Sequence, residues 1–201
     1  MLDEAAKAAP QDIPIMRERG LLALELGALD KARGLLKASA DAGPPDWRVH
    51  SGLGSALAAT GQQQEAQIQF ARALELAPDH PAILNNLALS FALDGRHEQA
   101  EKLLRRASQS KVAKVETKQN LALLLALKGQ TDESRKVAET ALPPEQARAN
   151  ARYLANVASA PAPASISAIG KADGLQRSAD ARGPGDGGPI YRLGGPEASG
   201  R

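Results

Sequence analysis

A chain of 201 residues makes one ordinary domain with room for an appendage. Its apolar fraction of 43% is built from Ala and Leu with five aromatic residues in all, which favours helix over strand. The net charge of +2, with basic and acidic residues interleaved, excludes an extended nucleic-acid surface, and the absence of cysteine excludes disulfides, thiolate chemistry and cysteine-bound metal. No apolar run approaches the roughly 20 residues that cross a bilayer. The start, Met1-Leu2-Asp3-Glu4, has neither a basic segment nor an apolar one, so no targeting signal is expected in the chain as written.

Ladders with one 34-residue period divide the chain: Pro10, Pro44, Pro78; Gly27, Gly61, Gly95, Gly129; Ala32, Ala66, Ala100, Ser134; and Ala5, Ser39, Ala73, Ala107, Ala141. Each glycine separates two amphipathic helical stretches, as Leu53 to Ala59 is separated from Glu65 to Leu76. Each unit is therefore a helical hairpin whose small residues let its two helices close, and whose exposed faces only a stacked neighbour buries. In chain order the pattern predicts a partial unit over 1–12, whole units over about 13–46, 47–80, 81–114 and 115–144, and a capping helix over 145–158 after the break at Leu142-Pro143-Pro144. The partial unit is the end of a second helix without its first, as a trimmed chain, a late start or a lone cap helix would give. Residues 159–201, with nine Gly and five Pro in 43 positions, are expected to be a disordered tail. Pro189-Ile190-Tyr191-Arg192-Leu193 is the one compact apolar cluster there, either a short docking motif or a chance grouping.

The second unit, with Trp47, Leu53-Gly54, Leu57, Gly61, Ala66, Phe70, Ala73 and Pro78, resembles the tetratricopeptide-repeat (TPR) family. The third keeps Leu87-Ala88, Phe91, Gly95, Ala100, Leu104 and Ala107; the fourth keeps Leu121-Ala122, Leu125, Gly129, Ser134 and Ala141. The first is weaker, with Gly20, Ala23, Gly27, Ala32, Leu36 and Pro44. The resemblance implies an all-α, right-handed superhelix of antiparallel helix pairs. It also implies a concave groove lined by Arg17, Leu21, Leu24 and Glu25, then by Arg48, Ser51, Ser55, Ala58 and Ala59. Asn85, Leu89, Ala92 and Leu93 follow, and after them Glu116, Gln119, Leu123, Ala126 and Leu127. Leu89 with Leu93, and Leu123 with Leu127, share helix faces and would make the C-terminal half of that groove apolar. Two readings stay open: a partner's amphipathic or apolar segment lies on this strip, or the C-terminal helix or tail folds back over it. If a partner binds there, Leu89→Asp with Leu123→Asp would abolish binding and leave the helices intact. A carboxylate clamp is not expected, because Asn86 and Asn120 lack the lysines that would accompany them.

No catalytic pattern emerges. His50, His80 and His97 form no metal-binding pair on a helix, no serine elbow occurs, and the Gly-rich tail lacks the Lys-Ser/Thr ending of a phosphate loop. Glu65, Glu75, Glu98 and Glu101 are expected on outer helix faces. The expectation is a non-enzymatic protein-binding scaffold with no cofactor, metal, nucleic acid or small-molecule substrate.

A narrower resemblance lies in Gln119-Asn120-Leu121-Ala122-Leu123 through Gly129, Ala141-Leu142-Pro143-Pro144-Glu145-Gln146, and Asn150-Ala151-Arg152-Tyr153-Leu154. These are similar to the end of the TadD family, the TPR proteins of Flp/Tad (type IVb) pilus assembly. That resemblance implies a bacterial outer-membrane lipoprotein in the periplasm that helps a pilus secretin or another secretion-machine component assemble. The sequence departs from the family in having no signal peptide and no cysteine to lipidate, so a native Met1 would imply a cytoplasmic TPR adaptor or regulatory module instead.

Overall fold

The structure is a computed structural model in which residues 12–141 are described, together with Gln176–Arg177 and Tyr191–Arg192. Eight helices run through the first of these stretches: α1 (Ile13–Glu25), α2 (Leu29–Ala42), α3 (Trp47–Ala59), α4 (Gln63–Leu76), α5 (Pro81–Leu93), α6 (His97–Ser108), α7 (Val115–Leu127) and α8 (Thr131–Ala141). The odd-numbered helices begin 34 residues apart, and so do the even-numbered ones. Four helical hairpins thus stack in sequence order, each helix packed on the next, with α1, α3, α5 and α7 also in mutual contact along one side. This is the all-α solenoid that the ladders predict. The partial unit over 1–12 lies outside the described residues except for Asp12, and the Leu-Pro-Pro break and the capping helix over 145–158 lie outside them entirely.

The turns explain the glycine ladder. At Gly61 the backbone takes φ +82°, a left-handed conformation that costs an ordinary residue about 1–2 kcal/mol, and the other three ladder glycines repeat it. Helix starts are less uniform. Asp12 caps α1 by accepting from Ile15 N at 2.9 Å, and Asp46 caps α3 by accepting from Arg48 N at 2.9 Å. His80 and Lys114, at the same place before α5 and α7, make no side-chain cap bond.

The even-numbered helices bury one narrow stripe each. Ala32, Leu36 and Ser39 form it in α2; Ala66, Phe70 and Ala73 in α4; Ala100, Leu104 and Ala107 in α6; Ser134 and Ala138 in α8. In the first two hairpins the large middle residue of the stripe faces a glycine of its partner helix. A Cβ on Gly54 would meet the Phe70 ring at 2.8 Å, and one on Gly20 would meet Leu36 at 2.7 Å. By contrast, α3, α5 and α7 are buried nearly all round: Ser51 through Ala58 in α3, Ala82 through Ser90 and Ala92 in α5, Asn120 through Ala126 in α7.

Within 159–201, where no regular structure is expected, the structure places a short antiparallel pair. Strand β1 (Gln176–Arg177) joins β2 (Tyr191–Arg192), with Gln176 opposite Arg192 and Arg177 opposite Tyr191. β2 lies against α5 and α7. The apolar cluster in the sequence contains β2, while its pairing with Gln176–Arg177 has no signal in composition.

Candidate partner-binding groove

The line of first helices forms the candidate interaction surface, and its two halves differ in chemistry. At the N-terminal end Arg17 donates from Nη1 to Asp46 Oδ2 at 3.0 Å and from Nε to Glu18 Oε1 at 2.9 Å. The hydrogen bond to Glu18, reinforced by both carboxylate charges, raises the Arg17 pKa against the opposing effect of burial. Arg48 Nε stands 3.6 Å from the other Asp46 oxygen, so one capping carboxylate organises two groove arginines. Ser51 and Ser55 are only 2% and 1% exposed, and Leu24, at 0%, belongs to the interior. Leu24 packs in the cluster that holds Ala23, Ala32 and Leu36, with partly buried Leu21 at its edge. Leu24 therefore presents no surface to a partner, because its side chain is enclosed in the core between hairpins.

At the C-terminal end Leu89, Leu93, Leu123 and Leu127 come together in one apolar cluster with Ala59, Ala122, Ala126, Val137 and Ala138. Leu89 and Leu123 are 2% and 3% exposed, whereas Leu93 and Leu127 are partly buried. An aspartate at Leu89 or Leu123 would consequently be a buried charge, so the less enclosed Leu93 and Leu127 are the sites at which a charge tests binding at a smaller cost in stability.

Asn85, read from the sequence as groove-lining, is fully buried. It belongs to a polar ladder across three repeats. Asn120 Nδ2 donates to Asn85 Oδ1 at 2.9 Å, Asn85 Nδ2 to Asn86 Oδ1 at 3.3 Å, and Asn86 Nδ2 to Ser55 Oγ at 3.4 Å. All three asparagines make further interactions as well. Their amides hold α3, α5 and α7 in register, a use that the sequence does not signal because asparagine also lines open grooves. Gln119, nearby on α7, remains partly exposed.

Away from the groove, Glu101 does not stand on an open outer face: its side chain is 15% exposed. Arg105 Nε donates to Oε1 at 2.8 Å, Lys128 Nζ donates to Oε2, and Arg105 Nη2 reaches on to Glu133 Oε1 at 2.7 Å. Burial pushes the Glu101 carboxyl up, but the bonds from Lys128 and Arg105 outweigh it and hold the pKa below the ordinary value. The bonds to Glu133 and Glu101 raise that of Arg105. Glu65, Glu75 and Glu98 are exposed. Two of the histidines serve packing. His50 Nδ1 pairs with Gln69 Oε1 at 2.9 Å, and the His80 ring, just before α5, lies 4.4 Å from that of Trp47 at the start of α3. Among the described residues no group of three His, Asp or Glu side chains is placed to hold a metal ion, and no helix is long and apolar enough to cross a membrane.

Helical hairpins repeated at a fixed interval, with their first helices aligned along one side, define an interaction solenoid of the α-repeat class. Residues 48–111 match the tetratricopeptide-repeat family model, and the described residues 12–141 have the fold of a TPR solenoid. Among solved structures the chain is similar to MamA (23% identical, covering 74% of this chain and 86% of that one, TM-score 0.64). It is also similar to YrrB, described as a TPR protein with an unusual peptide-binding site (18% identical, covering 78% and 81%, TM-score 0.64). A third likeness is to TTC0263, a thermophilic TPR protein of Thermus thermophilus (21% identical, covering 76% and 86%, TM-score 0.64). At these identities the likeness establishes the fold. No curated protein matches the sequence. TPR proteins bind peptides or proteins, and this fold suggests a protein-interaction scaffold.

Proposed function

We propose that the scaffold is an accessory factor of Flp/Tad pilus assembly that takes an apolar segment of a secretin, or of another secretion-machine component, along its concave face. The observation that carries the binding mode is the cluster of Leu89, Leu93, Leu123 and Leu127 on the same side of successive helices. An apolar strip beside a polar, arginine-bearing half favours a segment that is greasy at one end and acidic or polar at the other. The peptide-binding site described for YrrB is a precedent for such use of a TPR solenoid. The pilus assignment rests on the resemblance of 119–129, 141–146 and 150–154 to the TadD family, and it carries with it a place at the outer membrane.

The test is co-purification of the full chain with a Tad-type secretin produced in the same cells, with Leu93→Asp/Leu127→Asp as the comparison. Stoichiometric recovery with the unaltered chain, and at least tenfold less with the double variant, is expected. Recovery that ignores the two charges removes the groove from the reading. If the secretin is not retained and fractionation finds the chain with cytosolic proteins, the pilus assignment falls and the chain is a cytoplasmic adaptor.

A further inference from the structure

We propose that the concave face of α5 and α7 already has an occupant, the chain's own segment Pro189 to Leu193, and that a partner must displace it to bind. This deepens the reading of that face as a binding surface and rests on it.

Placement gives the first argument, because β2 lies against α5 and α7, the two helices that carry the four leucines. The second is composition. Across 159–201 only Pro189-Ile190-Tyr191-Arg192-Leu193 gathers enough apolar side chain to match such a strip.

The β pairing fits this role. An isolated two-stranded pair is marginal in water and needs a face to pack on. Helices have no free backbone edge to offer, so β2 takes its backbone partners from β1. What a leucine-rich helix face offers in return is apolar contact. The surface therefore recognises a short extended segment of apolar and aromatic residues with a basic one among them, presented by a strand and not by an amphipathic helix. The tether permits docking within one molecule. The 49 residues between Ala141 and Tyr191 could reach about 160 Å if fully extended, which is ample to return the segment from the end of α8 to α5.

The absence of cysteine makes a direct test available in the full chain. Arg192→Cys is paired separately with Leu93→Cys, with Leu127→Cys, and with Lys37→Cys on the exposed side of α2 as a control, then oxidised at low micromolar protein. An intramolecular disulfide at position 93 or 127, at least tenfold above the control and unchanged on dilution, is expected. Cross-linking no better than the control overturns the proposal. Dimers that disappear on dilution overturn it too, since they assign the surface to a second copy. A labelled peptide spanning 188–197 gives a second measurement: it should bind the full-length Tyr191→Asp variant at least tenfold more tightly than the unaltered chain, and equal binding overturns the proposal. Failure of the secretin co-purification with the disulfide still forming would sink the proposed partner and leave this inference standing, and the reverse pattern would do the opposite.

Discussion

At the scale of single residues the packing rule is reciprocal size. Gly54 faces Phe70, and the same positions one repeat later hold Ala88 and Leu104, all four buried. The contact at Gly54 leaves no room for a methyl group, since an added Cβ would sit 2.8 Å from two ring carbons. Gly54→Ala gains up to about 1 kcal/mol in helix propensity but should lose about 1–3 kcal/mol to the clash. Phe70→Leu should cost about 1 kcal/mol by leaving space above the glycine. Combined, the two substitutions reproduce the Ala-Leu pair of the following repeat. Urea denaturation should therefore find the double variant more stable than the sum of the singles by at least about 0.5 kcal/mol; strict additivity would show that the two sites do not share one packing constraint. The asparagine ladder gives a second residue-scale expectation. Asn120→Ala removes a donor from the buried Asn85 oxygen and should cost about 1–3 kcal/mol in the same assay. Spacing alone made the small residues of each stripe legible. It did not reveal that Asn85 would be buried, because an amide suits a wet groove and a closed ladder equally well.

For whole elements the period settled nearly everything: helix starts at 13, 47, 81 and 115 follow directly from it. Proline and the turn glycines punctuate each hairpin, and no competing strand pattern exists in the repeats. The caps show where one repeat departs from another. Asp12 and Asp46 accept from the first turns of α1 and α3, but Lys114 stands before α7 with no cap bond and its charge at the positive end of the helix. Thr117, in that first turn, has its hydroxyl buried without a hydrogen-bond partner. Lys114→Asp supplies an acceptor where two earlier repeats have one, and should stabilise the fold by about 1 kcal/mol in thermal or urea melts. A neutral or destabilising result would mean that the approach to α7 cannot adopt the Asp46 geometry. What the period could not convey is the placement of β2 against α5 and α7. That strand lies in a stretch without repeats, so no register connects it to the leucines of the solenoid.

At the scale of the molecule, stability in a stacked array is the sum of each hairpin and its junctions, so the weakest junction decides where it opens. The junction between the third and fourth repeats leans on charge: Glu101 holds Arg105 and Lys128, and Arg105 continues to Glu133 on α8. Earlier junctions lean on aromatic packing, with Trp47 against His80 and Phe70 in the core. Because the folded pKa of Glu101 lies below the ordinary carboxyl value of 4.5, its contribution is fully present above that value and is lost as pH falls through the folded pKa. Partial exposure of Arg105 limits the contribution to about 1 kcal/mol. Glu101→Gln should therefore lower Tm by a few degrees at pH 7, and the gap between the two melting temperatures should shrink as pH falls below 4.5. Hydrogen exchange on the unaltered chain should, over the same acid range, find α7 and α8 losing protection before α3 and α4. A Tm difference that did not shrink at all as pH falls below 4.5 would show that Glu101 acts through packing and not through its charge. Loss of protection beginning at α3 would place the weakest junction in the aromatic half of the array, and the ion-pair network would then be a surface feature with no part in holding the last repeat to the stack.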